Sequence, residues 1–130
     1  MGGAADGRGG RRRKRRRLSR SGDFDRVYRD GRSHANRYLV VYSFPRAGDD
    51  EPRLGISVGR KVGGAVARNQ VKRMLRDAFW ACADDLPDGH DFVIVARPDI
   101  AGVADERGAA GVEEELRGVL RNAGIAGEAS

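Results

Sequence analysis

The segment from Arg60 to Arg76 constrains this chain more than any other part, because it combines helical periodicity with charge of a single sign. It contains six basic residues and no acidic residue. On a helical wheel, which advances about 100° per residue, its apolar and basic side chains separate into two adjoining arcs. The apolar arc holds Ala67, Val71, Met74, Leu75, Ala78, Phe79 and Cys82. The segment therefore predicts a helix over about residues 64–84 that packs one arc on a sheet.

The basic arc of this predicted helix carries a row of like charges. It consists of Arg68, Lys72 and Arg76 at successive i, i+4 positions, with Asn69 and Arg73 beside them. Each like-charged pair at this spacing destabilises a helix by about 0.2–0.5 kcal/mol. An uncompensated row of this kind indicates a polyanionic partner, and nucleic acid is the polyanion that we expect. A solvated helix face with a flexible Gly63-Gly64 entry turn is the alternative interpretation.

The charge of the rest of the chain is divided unevenly, although the net charge is only +6. Residues 1–20 carry nine cations and one acid, whereas residues 77–130 carry four cations and twelve acids. This asymmetry favours one basic face over a uniformly cationic surface. Binding to a membrane surface is a weaker interpretation, because the basic N-terminal run lacks interleaved Trp, Phe or Leu residues.

The 130 residues predict a single domain over residues 18–124, followed by a flexible C-terminus at 125–130. Residues 1–17, which are almost entirely Gly, Ala and Arg, predict a disordered basic tail. RNA contact, a solvated tail and a misassigned start codon are the alternatives for this tail. The single Cys82 excludes an internal disulfide framework, and the chain lacks a secretory signal or a membrane-length apolar run. We therefore expect a cytoplasmic protein.

The hydrophobic pattern predicts the element order α-β-β-α-β-α. Strands are expected at residues 38–44, 53–58 and 91–96, a loop at 98–110, and a final helix at 112–123. A short first helix, capped by Ser21 or Asp23, would carry Phe24, Val27 and Tyr28 and end at Gly31. This order indicates an α/β (α+β) two-layer sandwich in which helices pack on one mixed sheet.

Three aromatic residues have two interpretations. Phe24 and Tyr28 are i, i+4 neighbours on the first predicted helix, and Tyr42 lies on the first predicted strand. Exposed aromatic rings can stack unpaired bases, at about 1–3 kcal/mol per base. Aromatic residues at this spacing are also common in hydrophobic cores, and spacing alone leaves both interpretations open.

No arrangement of side chains in the sequence predicts an active site within the protein itself. The acidic runs at residues 49–51 and 113–115 are consecutive, so their carboxylates point in different directions instead of converging on metal ions. His34 and His90 stand alone, and zinc-ligand spacings and Gly-rich nucleotide loops are absent from the sequence. We therefore expect no catalytic residue in the protein, and the sequence leaves a metal site on it undetermined.

Residues 61–76 resemble the signature of the protein subunit of bacterial ribonuclease P. In that signature a Lys, a Gly-Asn-Ala-Val segment and an Arg-Asn-Arg triplet precede Lys-Arg and a final Arg. This chain departs from it at Gly64, where the family has Asn, and at Gln70, where the family has the second Arg of the triplet. Matches on either side of the signature extend the similarity to about residues 17–123. These matching residues are Leu18, Phe24, Tyr28, Gly31, Asn36, Arg37, Tyr42, 55–58, Arg60 and Lys61.

The resemblance implies a sheet flanked by helices with a left-handed β-α-β crossover, an exceptional hand. It also implies that a catalytic RNA, using Mg²⁺, removes the 5′ leader of precursor tRNA, and that no membrane or further protein partner is required. The contacts implied with the RNA subunit are Arg60, Lys61, Arg68, Asn69, Lys72, Arg73 and Arg76. The contacts implied with the leader are Phe24, Tyr28, Ser33, Asn36, Arg37, Val40 and Tyr42.

Three other functions remain open from the residues themselves. One is a structural RNA-binding protein of the ribosomal type that has no role in cleavage. Another is a self-sufficient nuclease, which the missing carboxylate site disfavours. The third is a DNA-binding regulator, which the strands predicted around the basic helix disfavour.

Overall fold

The structure, a computed structural model, describes residues 16–18, 21–46 and 51–125. Its strands are β1 (Arg16–Arg17), β2 (Arg32–Ala35), β3 (Leu39–Pro45), β4 (Arg53–Val58) and β5 (His90–Ala96). Its helices are α1 (Ser21–Asp30), α2 (Ala65–Ala81) and α3 (Ile100–Asn122), and 3₁₀ turns at Arg60–Val62 and Ala83–Asp85 flank α2. The observed order is therefore β-α-β-β-β-α-β-α, which adds two strands to the predicted order.

The five strands form one mixed sheet in the order β1-β4-β5-β3-β2. β4 is parallel to β1 and β5, whereas β3 is antiparallel to β5 and β2. The predicted mixed sheet flanked by helices is confirmed. Because β4 and β5 are parallel neighbours, α2 is the crossover helix that joins them.

The central strand β5 divides the core between the two faces of the sheet. Phe92 and Ile94 point toward α2 and α3, whereas Val93 and Val95 point toward α1. The predicted apolar arc of α2 faces the sheet, with Val71, Leu75, Ala78, Phe79 and Cys82 buried. Among the described helices, none is long and apolar enough to cross a membrane.

Two short strands correct the predicted order and the predicted tail boundary. Arg16 and Arg17 pair with Arg53 and Leu54 of β4, so they belong to the domain and not to a disordered tail. The rest of the predicted tail, residues 1–15, lies outside the described residues. β2 was missed because Arg32–Ala35 is polar and largely exposed, and antiparallel pairing with β3 forms it without an apolar periodicity.

The predicted loop at residues 98–110 is wrong, because α3 begins at Ile100. Glycines in this stretch lower its intrinsic helix propensity, but Ile100 and Val103 are buried in the core and stabilise the helix. The helical geometry is interrupted once, at Gly108, where φ is +65°. At the C-terminus Ile125 packs against the core, and the other residues predicted to be flexible, 126–130, lie outside the described part.

Candidate nucleic-acid interface

A cleft opens along the edge of β4, between α1 on one face of the sheet and α2 on the other. β1 pairs with only the first two residues of β4, and the cleft extends from β1 along the remainder of that strand. α1 contributes Phe24 and Tyr28 to its lining, and α2 contributes Lys72 and Arg76. Aromatic and basic side chains that lie about 50 residues apart in sequence therefore face one another across the same cleft.

The depth of Phe24 in the cleft is set by Gly55 of β4. A Cβ atom at Gly55 would lie 2.5 Å from Cζ of Phe24, a distance at which the ring has to move. Glycine is required here for close approach, because it lets the ring lie directly against the backbone of the strand.

Substituting Gly55→Ala is expected to lower the free energy of unfolding by about 1–3 kcal/mol, the usual cost of overpacking. Gly59→Ala is the matched control, since a Cβ there meets nothing within 4 Å and the backbone is extended with φ −82°. Urea denaturation would measure both. The destabilisation should shrink when Phe24 is also replaced by Ala, and an undiminished effect in that double variant would contradict the close approach of the ring.

The three aromatic residues singled out by the sequence form one contiguous surface, which we call the aromatic patch (Phe24, Tyr28 and Tyr42). The rings of Phe24 and Tyr28 are 6.3 Å apart, and Tyr28 meets Tyr42 edge to face at 5.0 Å. Tyr28 is 39% exposed. Burial of the remainder raises the pKa of its phenol above the ordinary value, and neighbouring Ser57 offsets part of that rise. The raised pKa keeps the Tyr28 phenol protonated at neutral pH.

Two further predicted leader contacts share the sheet face of the aromatic patch. Ser33 of β2 is the cross-strand partner of Tyr42, and Val40 lies two residues before Tyr42 on β3. Side chains two residues apart on a strand, and those of directly paired residues, point to the same face. Ser33 is exposed and Val40 is half-buried, so both are near the surface beside the patch.

Asn36 and Arg37, also predicted to contact the leader, form hydrogen bonds within the protein. Asn36 Oδ1 accepts hydrogen bonds from the backbone N–H groups of Tyr38 and Leu39, at 2.8 and 2.9 Å, and its Nδ2 donates to Glu115 of α3. Arg37 Nε donates to Asp99 at 2.8 Å, an exposed contact just before α3. These bonds hold the β2–β3 turn against α3, on the sheet face opposite the aromatic patch.

The basic row of α2 remains uncompensated after folding. Lys72, Arg73 and Arg76 are exposed, and no ion pair within the described residues involves them. Asn69 is exposed beside them. Arg68 is half-buried, and its Nε atom is buried without a hydrogen-bond partner among the described residues. An acceptor on a bound partner that reached this donor would satisfy a group that otherwise costs about 1–3 kcal/mol.

Arg60 and Lys61 extend the cationic surface beyond the start of α2. Both lie in the 3₁₀ turn Arg60–Val62 and are exposed. Val62 of the same turn is buried and anchors it to the core. The first turn of α2 contains no acidic residue and no side-chain cap, so the positive end of the helix dipole adds to the same surface.

The sequence did not identify several residues that line the cleft. They are Arg16, Arg17, Gly55, Ile56, Ser57 and Trp80. Trp80 continues the i, i+4 series of Arg68, Lys72 and Arg76, so extending that series by one turn would have found it. The two arginines were assigned to the disordered tail, and only their pairing with β4 brings them to the cleft.

A family model described as Ribonuclease P matches residues 13–124 of the chain. The ribonuclease P protein component of Geobacillus thermodenitrificans is 41% identical over 111 residues, which cover 85% of this chain and 88% of the relative. That of Ligilactobacillus salivarius is 40% identical over 116 residues, covering 89% and 99%.

Solved structures agree with these sequence relatives. The ribonuclease P protein of Staphylococcus aureus superposes with a TM-score of 0.77 at 34% identity, covering 87% of this chain and 99% of that one. The ribonuclease P protein of Thermotoga maritima gives a TM-score of 0.74 at 33% identity, covering 83% and 97%. The two solved structures are therefore similar to this chain in amino-acid sequence as well as in fold.

Proposed function

Because this chain belongs to the ribonuclease P protein family, the protein subunits of the endoribonuclease that matures the 5′ end of tRNA, we propose that it binds the catalytic RNA and the 5′ leader of precursor tRNA. The observation that carries this proposal is the cleft at the β4 edge. It has aromatic rings on one wall and, on the other, cations that form no ion pair among the described residues. Single-stranded RNA offers the matching chemistry, with flat bases for the rings and phosphates for the cations.

The two groups of predicted residues divide between the two RNAs in this proposal. The leader contacts are the aromatic patch together with Ser33 and Val40. Lys72 and Arg76, which the resemblance assigns to the RNA subunit, are proposed to face the leader instead, because they line the cleft. The RNA-subunit contacts are the remaining members of the basic surface: Arg60, Lys61, Arg68, Asn69 and Arg73. Asn36 and Arg37 act indirectly, since their bonds to α3 support the strands that carry Ser33 and Val40.

The protein contributes binding energy and charge compensation, whereas the RNA subunit contributes the chemistry. The Mg²⁺ that the resemblance implies is proposed to act with that RNA. Among the described residues, no group of three or more His, Cys, Asp or Glu residues could hold a metal ion. Cations placed between catalytic RNA and substrate reduce the repulsion between their phosphates. This lowers the concentration of divalent ion required at physiological ionic strength. We also propose that the protein acts in the cytoplasm, together with its tRNA substrate.

Reconstitution tests this function directly. The purified protein is combined with a bacterial ribonuclease P RNA and precursor tRNA at a Mg²⁺ concentration too low for the RNA alone. We expect removal of the 5′ leader only when both RNA and protein are present. RNA binding without restored cleavage would favour the structural RNA-binding alternative, and cleavage by the protein without RNA would favour the self-sufficient nuclease.

Replacing Phe24 by Ala is expected to weaken binding of leader-bearing precursor tRNA by roughly tenfold, because one stacked base contributes about 1–3 kcal/mol. Binding of mature tRNA, which has no leader, should be unchanged. Phe44→Ala is the matched control, since Phe44 is half-buried on the same sheet face but does not line the cleft. Equilibrium binding to the reconstituted holoenzyme measures both, and an equal weakening for the two tRNAs would identify Phe24 as a core residue only.

A further inference from the structure

The cleft at the β4 edge consists of two adjoining chambers that share part of their lining. The outer chamber has a volume of about 520 Å³ and is lined by Tyr28 and Ser57 among others. The inner chamber has a volume of about 320 Å³ and lies between β1 and α2. Phe24, Ile56 and Lys72 line both chambers, so one extended ligand could pass from the first into the second along the side of the Phe24 ring.

The inner chamber carries cations on two walls, and none of the described residues that line it is acidic. β1 contributes Arg16 and Arg17, and α2 contributes Lys72 and Arg76. Arg16 forms an ion pair with Glu51, in which its Nε atom lies 3.5 Å from Oε1. No ion pair among the described residues involves Arg17, Lys72 or Arg76. The outer chamber differs, because Asp25 is part of its lining. The inner chamber is therefore the more strongly anion-selective of the two.

The floor of the inner chamber is apolar and partly aromatic. Ile56 and Leu54 of β4, Phe24 of α1 and Trp80 of α2 line it. Trp80 is buried, at 7% exposed, and packs edge to face on Phe79 at 4.9 Å, so half-buried Phe24 offers the more accessible ring. A volume of about 320 Å³ is at the small end of the range for specific ligand pockets, about 300–1,000 Å³. A chamber of this size suits one nucleotide, whose base lies against the Phe24 ring while its phosphates meet the cations of the walls.

We infer that the inner chamber is a second nucleotide-binding site, which takes one unstacked nucleotide of single-stranded RNA beyond those on the aromatic patch. Arg17, Arg76 and Trp80 are its distinguishing residues. Because the chamber is continuous with the proposed leader cleft through Phe24 and Lys72, the nucleotide belongs to the 5′ leader. The inference rests on the proposed function and assigns β1 a part in substrate binding.

Arg17→Ala in the reconstituted holoenzyme tests the inference, with Arg32→Ala as its matched control. Both arginines are exposed and lie in the two edge strands of the sheet, and only Arg17 lines the chamber. Affinity is measured for precursor tRNAs whose leaders are shortened one nucleotide at a time. We expect Arg17→Ala to weaken binding roughly tenfold, the worth of one charge-assisted hydrogen bond, for long leaders only. Short leaders and mature tRNA should bind as they do to wild type.

Three results would overturn the inference. They are an equal weakening for all leader lengths, no weakening at any length, and a weaker affinity for the RNA subunit without dependence on the leader. The last result would assign the chamber to a nucleotide of the catalytic RNA. Failure of the proposed function itself appears differently, because wild-type holoenzyme would then bind leader-bearing and leaderless tRNA equally.

A fluorescent base analogue, 2-aminopurine, placed at successive leader positions separates the two chambers. Stacking on aromatic side chains should quench its emission at positions that occupy either chamber. We expect at least one position whose quenching is abolished in Arg17→Ala and kept in Tyr28→Ala. If both variants abolish quenching at the same positions, or if Arg17→Ala abolishes it at none, the inner chamber is not a separate nucleotide site.

Discussion

Replacing Asp91 by Ala is expected to lower the free energy of unfolding by about 3–5 kcal/mol, because it leaves two arginines without the buried carboxylate that pairs with them. Asp91 lies near the start of the central strand and is fully buried. Arg53 donates two hydrogen bonds to it, at 2.8 and 2.7 Å, and Arg46 donates a third at 2.8 Å. The side chain of Arg46 is only 13% exposed, so its charge would remain poorly solvated after the substitution.

Asp99→Ala is the control for this prediction. Asp99 forms one ion pair with Arg37, at 2.8 Å, but both side chains are more than half exposed. Exposed pairs contribute about 0–1 kcal/mol, so this variant should unfold close to wild type. Urea denaturation followed by circular dichroism measures both midpoints. Similar midpoints for the two variants would show that the Asp91 network adds little to the fold.

The double substitution Lys72→Ala and Arg76→Ala is expected to weaken binding of precursor tRNA by about two orders of magnitude. Each cation is exposed on the cleft wall of α2, and a hydrogen bond to a charged group contributes about 1.5–3 kcal/mol. The slope of log affinity against log salt should become shallower by about two, one for each phosphate that is no longer neutralised. Stability should rise by a few tenths of a kcal/mol, because the variant removes an i, i+4 repulsion.

Arg117→Ala with Arg121→Ala provides the matched control for charge removal. These residues have the same i, i+4 spacing on α3, where Arg117 pairs with Glu113 at 2.8 Å. Removing them lowers the net charge equally but leaves the cleft intact. Fluorescence anisotropy over a series of salt concentrations would give both affinity and slope. If the two double variants weaken binding equally, net charge and not the cleft wall determines binding.

This chain departs from the family motif at two positions in or next to α2, and one of the two departures removes a positive charge. Gln70 is exposed at the position where the family motif has an arginine, and Gly64 is the N-cap residue of α2. Neither residue lines the cleft. Both departures therefore lie outside the wall that carries Lys72 and Arg76, and the proposed leader contacts are independent of them.

Helix α2 was predicted closely from the sequence, because the pattern that defines its two faces involves only residues near one another in the chain. A spacing of three or four residues fixes which side chains share a helix face, so both the buried arc and the cationic row follow from residue order. The period of two identified β4 in the same way, because apolar Leu54, Ile56 and Val58 alternate along the sequence with Arg53, Gly55 and Ser57. Such patterns failed for β2, whose polar residues become a strand only by pairing with β3, and for the first turns of α3, where burial of Ile100 outweighs glycine-rich composition.

The sequence by itself determined that this protein has a cationic helix with one apolar arc, an aromatic pair on a short helix, and a motif that identifies its family. Only the tertiary structure decided that Phe24 and Lys72 line the same cleft, that Arg17 reaches it from β1, and that Asp91 binds arginines 38 and 45 residues away. The physical reason is the range of the interactions. Periodicity encodes contacts within one helix or strand, whereas the cleft and the buried ion pairs form only when distant segments meet in the sheet.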